Sequence, residues 1–94
     1  MKINKFTEYN QSELVETFEF LDVYETCEFV KRSCDVFNEL DHHPNYFLME
    51  GKFVTIKTST HTVGGVTEKD RKLIERLRLL VKECCKKFNP QILN

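Results

Sequence analysis

The stretch "NYFLMEGKFVTIKTST", residues 45–60, decides the fold. Two extended runs flank Glu50-Gly51, and glycine supplies the positive φ that a tight hairpin turn needs. In the second run Val54, Ile56 and Thr58 share one face while Phe53, Thr55 and Lys57 share the other. That alternation marks a strand with one side toward a core. The segment reads as an antiparallel hairpin, and its flanks set the rest of the architecture.

Upstream, Val23, Cys27, Val30, Cys34, Phe37 and Leu40 recur at 4-3-4-3-3 spacing, one stripe of an amphipathic helix with Asp22 as its N-cap. Pro44 cannot lie inside that helix, and His43 before it is pushed toward an extended conformation. The helix therefore ends near Leu40 or Asp41. Downstream, Ile74, Leu77, Val81, Cys84 and Phe88 at 3-4-3-4 spacing predict a second helix. "TEKD", residues 67–70, marks its start: Thr67 caps it while Asp70 reaches back to the cap's N–H. Pro90 marks its far end. Before the first helix, "NKFTEY" (4–9) and "ELVETFEFL" (13–21) read as two further strands separated by "NQS". The order β-β-α-β-β-α predicts one α+β domain over residues 1–94, a four-stranded antiparallel sheet with both helices on one face.

Composition narrows the function classes. A chain of 94 residues buries only roughly 60–65% of its unfolded surface, so association with further copies would help it. The net charge is −1 with both signs mixed along the chain, which gives no basic stripe for nucleic acid and no anionic-membrane patch. No apolar run approaches a membrane span. "MKINKFTEYNQSE" has no apolar stretch of signal-peptide length, so the N-terminus reads as mature and the setting as cytoplasmic. The four cysteines lack the CxxC spacing of zinc or thioredoxin sites, and they read as small apolar packing groups.

All three histidines fall where the hairpin meets its neighbours. His42 and His43 leave the first helix in "DHHP", and His61 closes the second strand in "TSTHTVGG". Antiparallel return of the hairpin brings His61 close to the HHP triplet. Gly64-Gly65 would form a low-profile wall, with the helix N-terminus at Thr67 closing the pocket by its partly positive N–H groups. Imidazole suits proton transfer near neutral pH. A lone histidine is more often solvated or structural, but three converging on loop ends favour a working site. Three imidazoles can also hold zinc. Adjacent histidines next to Pro44 cannot both turn toward one ion without strain, so no metal is expected. Asp70 serves the helix cap whether or not it also serves the pocket.

"HHP", Tyr46 two residues later, "TH" at residues 60–61, and a glycine loop running into "TEKD" resemble the pterin-4a-carbinolamine dehydratases. "ETFEFLDVYETCEFV" (16–30) also resembles that family's F-x-F-x-D segment entering its first helix. The resemblance spans roughly residues 15 to 80. It implies dehydration of 4a-hydroxytetrahydrobiopterin to quinonoid dihydropterin and water, recycling tetrahydrobiopterin without metal or bound cofactor. It places His42 and His61 on acid/base positions and His43 on a substrate-binding position within the catalytic set. Pro44, Tyr46, Thr60 and Asp70 fall on substrate-contacting or site-supporting positions. It also implies a homodimer or homotetramer, with sheets paired edge to edge. Two departures stand out. Asn38 replaces the charged residue usual four before the first histidine, and the chain is too short before its first strand for the N-terminal helix of animal members. Those members also assist dimerisation of a transcription factor. A weakly catalytic binding or assembly module of the same shape is therefore the alternative.

Overall fold

The computed structural model describes residues 13–85, in the order β1 (Leu14–Glu19), α1 (Val23–Leu40), β2 (Tyr46–Glu50), β3 (Phe53–Thr58), α2 (Glu68–Cys85). The strands form an antiparallel sheet ordered β1-β3-β2. The described residues thus contain three strands rather than the four expected. "NKFTEY", the missing candidate, lies outside the described residues, as do Phe88 and Pro90.

The hairpin folds as its alternation requires. Gly51 turns it at φ +59, and Val54, Ile56 and Thr58 are buried on the helix side. The register aligns Glu16 with Ile56 and Phe47, and Phe18 with Val54 and Met49, so the inward residues of all three strands form one layer. Against it pack Phe29 and Val36 of α1 and Leu73, Ile74, Leu77, Leu80 and Val81 of α2. Phe29 sits at the centre, with ring centroids 5.5 Å from Phe18, 5.0 Å from Phe20 and 6.3 Å from Phe47. Its full burial removes about 2–3 kcal/mol worth of apolar surface from water.

Both helix starts obey the cap chemistry in the sequence. Asp22 accepts the Glu25 N–H at 2.9 Å, and Glu25 reaches back to the Leu21 N–H at 2.9 Å. In α2 the Thr67 hydroxyl accepts the Lys69 N–H at 3.2 Å, while Asp70 accepts the Thr67 N–H at 2.9 Å. Helix α1 ends at Asp41, in the left-handed region at φ 52, with the His42 N–H bonded to Phe37 O at 3.1 Å. This closure throws His42 off the helix axis toward β3.

The face of α1 corrects the expected stripe. The buried residues are Glu25, Thr26, Phe29, Ser33 and Val36, whereas Val23, Cys27 and Cys34 are exposed. Thr26 and Ser33 bond back to the carbonyls of Asp22 and Phe29 at 2.9 and 2.7 Å, so their hydroxyls enter the core satisfied. Cys27 and Cys34 therefore do not pack as core groups. Among the described residues, no helix is long and apolar enough to cross a membrane.

Candidate active site

A cleft of ≈ 590 Å³ opens where α1 ends and β3 leaves the sheet, within the size range of small-molecule sites. Helix α1 contributes Cys34, Phe37 and Asn38, and its exit Asp41, His42, His43 and Asn45. Residues 59–62 form the opposite wall, and Lys69 comes from the first turn of α2. All three histidines line it. So does Thr60. Pro44, Tyr46 and Asp70 do not.

Asp70 organises the floor. Its side chain has no exposed surface, yet four donors converge on it. Oδ1 accepts from His42 Nε2 and from Thr58 Oγ1, both at 2.7 Å. Oδ2 accepts from Thr60 Oγ1 at 2.8 Å and from the Thr67 N–H at 2.9 Å. Burial by itself pushes this carboxyl up. The bonds from His42, Thr67, Thr58 and Thr60 outweigh that and hold it down at about 2, against an ordinary 3.8. The anion is thus permanent at neutral pH. Thr60 gives its proton to Asp70, so the 2.7 Å contact with Thr67 is a bond donated by the Thr67 hydroxyl.

The hydrogen bonds also fix which ring nitrogens are free. A carboxylate only accepts, so His42 donates through Nε2 and Nδ1 keeps the lone pair. His42 is 13% exposed, enough to meet a ligand with one edge while Asp70 holds the other. His43 is exposed and donates through Nδ1 to its neighbour's carbonyl, Pro44 O, at 3.1 Å, leaving Nε2 free. His61 Nε2 donates to Asn45 Oδ1 at 3.1 Å.

Several expectations are corrected here. Tyr46 points from the sheet's outer face, 40% exposed, with Lys57 Nζ 4.6 Å from its ring centroid, because it shares a face with Lys57 rather than with Phe47. Pro44 ties His43 by its carbonyl instead of lining the wall. Asp70, in contrast, keeps the site-supporting place expected of it, behind His42 and bonded to that ring at 2.7 Å. Gly64 and Gly65 pin Thr60, through Gly64 N–H to Thr60 O at 2.9 Å and Thr60 N–H to Gly65 O at 2.8 Å, and neither lines the cleft. The Thr67 N–H is spent on Asp70, so α2 offers the cleft a lysine rather than free amides. Among the described residues no group of three His, Cys, Asp or Glu side chains could hold a metal ion. Thr58 and Asn45 escaped the sequence reading as site residues. Thr58 carried a signal, since a hydroxyl on the inward face of a strand needs a buried partner.

The family model "Pterin 4 alpha carbinolamine dehydratase" matches residues 3–80. A protein of Sulfolobus acidocaldarius named "Putative pterin-4-alpha-carbinolamine dehydratase" is 39% identical over 69 residues, 73% of this chain and 75% of that one. One of the same name from Metallosphaera sedula is 35% identical over 74 residues, 79% and 76% of the two chains. Among solved structures, a transcriptional coactivator/pterin dehydratase from Brucella melitensis superimposes with a TM-score of 0.71 at 25% identity, covering 77% of this chain and 76% of that one. A pterin dehydratase-like protein described as a RuBisCO assembly factor in the alpha-carboxysome gives 0.65 at 22% identity, covering 73% and 79%, a likeness of fold alone.

Proposed function

The chain belongs to the pterin-4a-carbinolamine dehydratase family, and from that premise we propose that it dehydrates 4a-hydroxytetrahydropterins by histidine acid–base catalysis in the cytoplasm, recycling tetrahydrobiopterin. The observation that carries this reading is the buried Asp70–His42 pair, bonded at 2.7 Å, in a cleft that His43 and His61 also line. In the reaction, N5 loses its proton and the freed electron pair forms the C4a=N5 bond. The C4a–O bond breaks as the departing oxygen takes a proton, and water leaves. The product is quinonoid dihydropterin. One group must donate a proton and one must accept one, and solvent then restores both.

His42 and His61 suit these two tasks because each is tethered through Nε2–H, which leaves Nδ1 to exchange protons. Asp70 holds His42 by an anionic acceptor at 2.7 Å, and we assign this ring to donate to the leaving hydroxyl. His61, with an uncharged partner, is the ring fitted to take the N5 proton. His43, with Nε2 free, binds the substrate. No step calls on a metal or a bound cofactor, and self-association as a dimer or tetramer belongs to the same reading.

The direct test is turnover of synthetic 4a-carbinolamine followed by absorbance. Dehydration well above the spontaneous rate supports the reading. A rate equal to the uncatalysed one overturns it in favour of a binding or assembly module in which Asn38 has replaced the charged residue that catalysis needs.

A further inference from the structure

His61 differs from His42 in what holds it. Asn45 is fixed twice over: its Nδ2 donates to Ser59 Oγ at 2.6 Å, and its backbone N–H donates to Lys57 O at 2.9 Å. The Ser59 bond turns the carboxamide so that its oxygen faces the ring, 3.1 Å from His61 Nε2. Both ends of the hairpin are therefore stitched together by one side chain, across the mouth of the cleft. The other titratable or charged groups lining that cleft are Cys34, Asp41, His42, His43 and Lys69, and among the described residues none of them hydrogen-bonds or ion-pairs with His61.

We infer that Asn45 is the positioning residue of His61. Its amide oxygen holds Nε2–H, aims Nδ1 as the proton-exchanging nitrogen, and adds no charge. The site then contains two imidazoles tethered alike but partnered differently, one by a carboxylate and one by an amide. That difference places an anionic acceptor behind one ring and a neutral acceptor behind the other. The inference rests on the proposed dehydratase reading only where it gives His61 an acid–base role.

Two substitutions test it. Asn45→Asp keeps the accepting oxygen and adds a charge; Asn45→Ala removes both. By NMR titration of the histidine rings, Asn45→Asp should raise the His61 midpoint by about one unit, as an adjacent anion does, and leave His42 in place. The acidic limb of the pH–rate profile should rise with it. Asn45→Ala should lower kcat roughly 3–10-fold, the scale of one hydrogen bond, with KM moved less. An unchanged His61 midpoint in folded Asn45→Asp overturns the inference, as does an equal shift at His42. If the midpoint shifts while wild-type protein shows no turnover, the positioning role of Asn45 stands and the dehydratase reading falls.

Discussion

At the scale of single residues, Asp70 is where structure and chemistry meet. A buried carboxylate without partners would move toward its neutral form, whereas this one is stabilised as an anion by four donors. Its depressed value has a consequence for stability. The native state favours the anion more than the unfolded chain does, so the contribution is complete above about pH 4 and is lost as pH falls toward 2. From 3.8 to about 2, that contribution is about 2 kcal/mol. Urea unfolding of wild type between pH 5 and 2 should show this loss, and the Asp70→Asn variant should lack it. At neutral pH Asp70→Asn should cost about 2–4 kcal/mol, because its NH₂ confronts donors that had an acceptor. On the proposed dehydratase reading, His42→Ala and His61→Ala should each lower kcat by roughly 10²–10⁴, and His43→Ala should act mainly on KM. Effects of all three on KM alone would refute those roles. The bond from the Thr67 N–H to Asp70 was legible as a capping box whose ends lie three residues apart. Its bonds to His42, Thr58 and Thr60 were not, because they join residues 28, 12 and 10 apart, and only the packed sheet and helix bring them together.

At the scale of elements, local chemistry announced the boundaries better than the faces. Asp22, Asp41, Gly51 and Thr67 each stop or start an element for a reason readable in a few neighbouring residues. The buried face of α1 was misread because hydrophobicity alone ranks Cys27 and Cys34 above Thr26 and Ser33. The hydroxyls of the latter two are satisfied by the helix's own carbonyls, which makes them cheap to bury beside Phe29. In α2 the predicted positions Ile74, Leu77 and Val81 are buried, joined by Leu73 and Leu80 on the same face. A cap can also be separated from the site it supports at a distance. Asp22 lies at the far end of α1 from His42, and its side chain accepts the Glu25 N–H. Asp22→Ala should therefore destabilise the protein by about 1 kcal/mol while leaving kcat and KM at wild-type values. Thermal denaturation together with steady-state kinetics would check both halves, and a kinetic defect matching that of His42→Ala would show that the helix transmits more than stability.

At the scale of the whole molecule, the misread stripe acquires a different meaning. Val23, Cys27, Val30 and Cys34 keep the 4-3-4 spacing of a helix-pairing seam, but Val23, Cys27 and Cys34 face outward, and Val23 is 47% exposed. Helix α1 packs over β2, where Phe37 meets Phe47 edge-on at 5.6 Å. Strand β2 ends the described sheet, so one of its edges offers unpaired backbone groups, with Leu48 38% exposed beside it. An open strand edge and outward apolar side chains on an 11.2 kDa chain are costly to leave in water. A second copy would satisfy both by pairing β2 with β2 and stacking α1 on α1, since a two-fold axis there makes each surface its own complement. Sedimentation velocity at micromolar concentration should accordingly show a dimer or tetramer. Replacing Val23 with lysine should shift it toward monomer, because the charge would be buried against its own copy, while the isolated fold keeps its core residues. A wild-type chain sedimenting solely as an 11.2 kDa species would show that this edge and these side chains are tolerated in solvent.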